Sequence, residues 1–348
     1  MLHKIVRTLA LSLSILSLAP TAHAAAEACR GRDLMAALPA ADLAAMQARV
    51  ADVPFAKGLF WQAQKGDARI ILIGTYHFAD QRHQRTLARF SPDIAKAAVL
   101  LVEAGPAEEA ALAKALRGDP TLMADPDGPP LSQRLGPADW SRLSAAMTAR
   151  GVPPSTTDHL RPWYLATMLG LSPCMLRQTA TNKGETDGLD HQLIALARKA
   201  GTPVRAIEPW DTLFSVFAGM APEEELDMLR AALPQAEMAD DYATTLTEAY
   251  FSGNVWQLWE FGRTDAYANS GLTRAEVDKM TELSRRQLMD RRNHAWLVPL
   301  TAAAEKAAHQ GKAVVAGFGA LHLPGEAGLL NLLQADGWTI TPLKTTAS

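Results

Sequence analysis

RIILIGTYHF, residues 69–78, decides how this chain is read. Arg69 apart, the run to Thr75 is apolar or small, as expected of a strand buried on both faces. Gly74 follows, and three places on comes His77. The pattern returns near the other end in KAVVAGFGALHLPG, residues 312–325, where an apolar run meets Gly319 and His322. One Gly-x-x-His is a weak signal. Two, each directly after an apolar strand, are much less expected by chance.

The flanking segments fill in an architecture. Residues 58–64 and 68–76 read as a hairpin turned at Lys65-Gly66-Asp67. HQRTLARFSPDIAKA (83–97) is helix-like, and AAVLLVEAGP (97–106) is a short strand stopped by Gly105-Pro106. DGLDHQLIALARKAG (187–201) has apolar positions at helical spacing and Gly201 as its cap, and TPVRAIEPW (202–210) is strand-like. GEAGLLNLLQADG (325–337) is a helix and WTITPL (338–343) a last strand. Residues 69–103 and 312–343 thus look like two pseudo-repeated halves, each strand, Gly-x-x-His, helix, strand, with the two strands of a unit pairing in parallel. The expected fold is α/β, a mixed, partly parallel sheet in a single domain over 25–348. Helical insertions fall at about 107–180 and 216–310.

Composition bounds the function. The chain has 348 residues, 48% hydrophobic and 20% charged, enough for a sizeable core. Residues 1–24 have a basic start at Lys4 and Arg7, an apolar stretch Leu9–Leu18 and an Ala22-His23-Ala24 end. This is the pattern of a secretory signal cleaved at about Ala24/Ala25, and it implies a periplasmic or secreted protein. Losing Lys4 and Arg7 takes the formal net charge from −3 to −5. A mildly acidic chain without basic runs argues against nucleic acid as a partner. No segment after residue 24 is apolar enough to span a membrane. In an oxidising compartment Cys29 and Cys174 are candidates for a disulfide, with two separate thiols the alternative.

In parallel α/β sheets ligands bind at the carboxyl ends of strands. His77 and His322 lie just past two such ends, and Glu103 and Glu208 end two others. Two imidazoles with one or two carboxylates suit a divalent metal such as zinc, manganese or cobalt. They equally suit a general base with an electrostatic clamp and no metal. The alternative is a pair of satisfied structural histidines. His83 reads as an exposed polar residue of a surface helix, and Asp158 as a helix cap. Trp163, Trp256 and Trp259 read as core anchors, and the acids at 223–225 as a helix first turn. No G-x-S-x-G is present, so a serine nucleophile is not indicated.

LIGTYH, LLVEAGP, GLDHQLIALARKAGTPVRAIEPWDTLF, RRNHAW and VVAGFGALHLPGEAGLLNLLQADGWTITPL, taken in order, resemble the TraB/GumN family. That family includes PrgY and is related to the Tiki metalloproteases and, more distantly, to erythromycin esterases. The resemblance covers about residues 55–343 and is most specific in the last block. It implies an α/β core with tandem-related halves and one site shared by both Gly-x-x-His motifs. In Tiki-like members such motifs and a glutamate serve metal-dependent peptide cleavage. The esterases use a similar His/Glu/Arg set, and another branch binds haem iron. By the resemblance His77, His322 and Glu103 are metal ligands, and Asp190, Glu208, Arg292 and Asn293 complete the site, with Arg292 stabilising oxyanion charge. Arg291 stands where a glutamate is common in the family, and His294 is a weaker metal candidate.

The expected function is metal-dependent hydrolysis of a peptide or ester bond in an exported protein. The rivals are a non-catalytic periplasmic protein binding metal, haem or peptide, and an accessory of envelope polysaccharide export.

Overall fold

The computed structural model of the chain describes residues 31–181, 188–217 and 219–344. Six strands form one sheet: β1 Phe60–Lys65, β2 Ala68–Thr75, β3 Val99–Val102, β4 Val204–Ala206, β5 Val314–Gly319 and β6 Thr339–Pro342. Their order is β4-β3-β5-β2-β1-β6. β4, β3, β5 and β2 pair in parallel, while β1 pairs antiparallel with both β2 and β6. The sheet is therefore mixed, as the sequence implies.

The central strands are apolar because both faces are covered. Every residue of β3 and β5 is buried, and Arg69 is the one exposed residue of β2. Alternate side chains go to opposite layers. Ile70, Leu72 and Phe318 join Trp296, Leu300 and Leu330, from helices Arg291–Ala308 and Leu329–Ala335. Ile71, Ile73 and Leu100 join Phe90, Ile94 and Leu193, from helices His83–Lys96 and Leu189–Ala200. Each such side chain contributes about 1.5–3 kcal/mol of burial, so the three central strands anchor the fold. The helical stretches on either side of 188–215 pack on one another around Leu143, Leu165, Leu229 and Leu233. Among the described residues no helix is long and apolar enough to cross a membrane. The expected signal segment and Cys29 lie outside the described residues.

Two expectations are corrected. The strands of each supposed half are not neighbours: β5 lies between β2 and β3, and β6 is separated from β5 by β2 and β1. Interleaving lets β5, the most buried strand, be sealed on both edges by parallel partners. His83 is not exposed but fully buried. Its ring lies between Tyr250 and Phe251 of the helix Ala239–Phe251, at 6.1 and 5.2 Å, and its Nε2 faces Phe78 O at 3.0 Å.

Candidate functional site

The interleaved order puts the carboxyl ends of β2, β5 and β3 side by side, and these ends carry His77, His322 and Glu103. The three side chains ring Gly319. A Cβ built there would lie 3.0 Å from Glu103 Oε1 and 3.6 Å from both His77 Nε2 and His322 Cδ2. Gly319 N–H donates to Glu103 Oε1 at 2.5 Å. Gly74 has the other use of a glycine: a Cβ would meet Leu59 O at 3.1 Å and Ala320 Cα at 3.2 Å. It lets β2 lie against the β5 turn.

Each histidine is fixed from behind. His77 Nδ1 faces Asp190 Oδ2 at 2.8 Å, and Thr75 Oγ1 donates to Asp190 Oδ1 at 2.5 Å. Asp190 sits in the first turn of the helix Leu189–Ala200. That helix approaches so closely that a Cβ on Gly188 would come within 2.4 Å of His77 backbone atoms. His322 Nδ1 faces Asn293 Oδ1 at 2.7 Å, and Asn293 Nδ2 donates to Ala327 O at 2.9 Å. With its amide nitrogen committed to Ala327, Asn293 must accept at Oδ1, so His322 carries its proton on Nδ1. In both rings Nδ1 is the donor, and neutral imidazole then presents a lone pair at Nε2 toward the Gly319 corner. The His322 ring also packs against that of Trp296, with centroids 4.3 Å apart and the planes tilted by 38°.

Glu103 has its other oxygen on Arg292. Arg292 Nη2 donates to Glu103 Oε2 at 2.7 Å and to Glu208 Oε1 at 2.5 Å, and Nε donates to Glu208 at 2.9 Å. Arg292 Nη1 donates to Leu288 O at 3.2 Å. Most of its donors are thus spent on protein acceptors. It is delivered by a π-helical turn, Arg286–Asp290, just before the helix Arg291–Ala308. Such turns recur at functional sites because they re-aim a side chain at a cost in helix geometry.

The electrostatics divide the histidines. Asp190 pushes His77 up to about 9 against the effect of burial. The side chain is 60% exposed, so solvent screens part of that attraction. Burial pushes His322 down to about 4, leaving it neutral at pH 7. Burial raises Glu103, but the imidazoles, Arg292 and the Gly319 N–H outweigh it and hold the carboxyl below its usual range. Asp190 is likewise held low, its burial outweighed by His77 and Thr75. Glu208 is raised by burial despite Arg292.

The histidine pair and Glu103 thus stand at the ends of interleaved strands, and Arg292 reaches them from the helix Arg291–Ala308. The TraB/PrgY/gumN family model matches residues 59–342, which is most of the chain. The chain belongs to the TraB/PrgY/gumN family. No curated protein and no solved structure matches it.

Within this TraB/PrgY/gumN chain every nominated residue but His294 meets the site. His77, Glu103 and His322 form its centre. Asp190 and Asn293 stand behind the histidines, and Arg292 links Glu103 to Glu208. His294 is exposed and makes none of the site's contacts described above. Trp163 is a core residue as expected, while Trp256 and Trp259 are half-buried. Asp158 caps across space, its Oδ1 accepting from Ser132 N–H at 2.7 Å. Thr75 and Trp296 were not nominated from the sequence. Thr75 was within reach of that reading, since it sits between Gly74 and His77. Trp296 carried no signal separating it from a core anchor.

Proposed function

We propose that this protein is an exported hydrolase-like enzyme that cleaves peptide or ester bonds at the His77–Glu103–His322 site, with a divalent cation (manganese, cobalt or zinc) held by those three residues. One observation carries the reading: both Nδ1 atoms are committed to second partners, so both Nε2 atoms are left to face one corner, that of His77 giving up its proton when a cation binds. Outer acceptors of this kind are what fix imidazole ligands around a metal. In kind, two imidazoles and a carboxylate fit such a cation. In arrangement, Glu103 leans to Gly319 and Arg292, and among the described residues no group of three or more His, Cys, Asp or Glu side chains converges on metal-ligand geometry.

A cation held by His77, Glu103 and His322 would supply activated water near neutral pH. The chain's own groups do the rest. Asp190 and Asn293 hold the tautomers, Arg292 keeps Glu103 ionised and aimed, and the exposed edge of His77 leaves an approach for substrate. Arg292 influences developing oxyanion charge through Glu103 and the local field, since its donors are already engaged.

Metal-free acid–base hydrolysis is a second reading, favoured by His77 itself. Held as imidazolium by Asp190, it is a ready proton donor beside an ionised Glu103. Purified mature protein assayed on a panel of peptides and esters, with and without EDTA and with metal content measured, separates the two. The metal reading expects one cation per chain and turnover, both lost in His77→Ala and His322→Ala. Turnover that survives EDTA selects the metal-free reading. No turnover and no uptake would overturn both.

A further inference from the structure

Beside Arg292 lies a groove of about 190 Å³ that neither histidine lines. Its apolar walls are Ile207, Pro209, Val216 and Trp296. Trp296 also borders the site, its ring packed against that of His322 with centroids 4.3 Å apart. Glu208 and Arg292 form the wall shared between groove and site, bonded to each other at 2.5 and 2.9 Å. Most polar groups lining the groove are already paired: Ser215 Oγ donates to Thr212 O at 2.7 Å, and Thr212 Oγ1 donates to Pro209 O at 2.9 Å. Two are not. Among the described residues neither Gln287 nor Arg291 has a side-chain partner, and Arg291 is exposed at the groove. Gln287 belongs to the π-helical turn, so the same costly distortion that delivers Arg292 to the site puts an amide in the groove.

We propose that this groove is the subsite that takes the C-terminal end of a short peptide, with Arg291 anchoring its free carboxylate. The charge argues for it. Glu208 is covered by Arg292, so Arg291 is the uncompensated charge of the lining. An arginine fork is the side chain best shaped for a carboxylate. The size argues for a short end: pockets for drug-sized ligands run to ~300–1,000 Å³, and this one is smaller. The apolar walls suit a small apolar side chain, and Gln287 offers a donor and an acceptor to a peptide backbone. The proposal rests on the reading of the neighbouring site as a hydrolase, for which it names the substrate class.

The test uses N-acetyl-trialanine and its C-terminal amide, titrated calorimetrically into full mature protein carrying His77→Ala, so that nothing is turned over. The acid is expected to bind at least about ten-fold more tightly than the amide, the ratio given by about 1.4 kcal/mol. Arg291→Gln on the same background should bring the acid to the level of the amide, and Arg291→Lys should restore part of the difference. Equal binding of acid and amide, undiminished acid binding in the Arg291→Gln chain, or no binding of either would overturn the subsite. The hydrolase reading fails separately. Arg291-dependent binding of the acid, with no cleavage of any peptide by the unsubstituted protein, keeps the subsite and removes the enzyme. Cleavage that does not distinguish free carboxylate from amide does the reverse.

Discussion

Replacing Asn293 by alanine tests the frame of the site. Asn293 is 1% exposed and joins His322 Nδ1 to Ala327 O through bonds of 2.7 and 2.9 Å. Alanine leaves a buried N–H and a half-buried carbonyl without partners. Each orphaned group costs about 1–3 kcal/mol, so the sum is about 2–6 kcal/mol, and a water entering the vacated space would bring it to the lower end. Urea unfolding at pH 7 should therefore show the midpoint falling at unchanged slope by an amount worth at least about 2 kcal/mol. Nitrogen NMR of the unsubstituted protein should show His322 neutral at pH 6, protonated on Nδ1. A variant within about 0.5 kcal/mol of the parent, the ordinary range for an unimportant surface change, would refute the bridge. So would an Nε2-protonated His322.

Gly319→Ala should cut metal uptake and hydrolysis by at least about ten-fold with little loss of stability, a ratio worth about 1.4 kcal/mol. The backbone there has φ −48°, which alanine accepts, but the new Cβ lies 3.0 Å from Glu103 Oε1; full activity would contradict the ring of side chains around this glycine. Acid should destabilise the fold through His322 and His83, both held by burial below the ordinary imidazole value. The unfolded chain takes up these protons below about pH 6.5 while the folded chain resists, so stability falls from there toward about 4 for His322, by up to about 1.4 kcal/mol per pH unit per group. His322→Gln should flatten this limb in urea titrations at pH 7, 6 and 5, and an unchanged slope would contradict the assignment. Intact-mass measurement of envelope fractions should give a mature chain starting at about Ala25 with no free thiol. A Cys29–Cys174 bond would add about 4–5 kcal/mol in the chain-entropy model, and two titratable thiols would exclude it.

The sequence made the central strands legible because they are buried on both faces. β2, β3 and β5 read as unbroken apolar runs and end within a residue or two of their apparent limits. The site was legible for the same reason, since histidines and acids just past apolar strands must crowd one sheet edge. The strand order was not. Whether β2 pairs with β3 or with β5 depends on long-range packing, and no local pattern encodes it. His83 was misread because its burial comes from Tyr250 and Phe251, far along the chain. The π-helical turn at Arg286–Asp290 lay inside what reads as one continuous helix, where propensity does not distinguish i+4 from i+5 bonding.

The most direct test of one site shared by two Gly-x-x-His motifs is the anomalous scattering of a crystal of mature protein equilibrated with manganese. The expected result is a single peak per chain, within bonding distance of His77 Nε2, His322 Nε2 and a Glu103 oxygen, and absent from the His322→Ala crystal. A peak held by one histidine alone, or one that persists without His322, would contradict it.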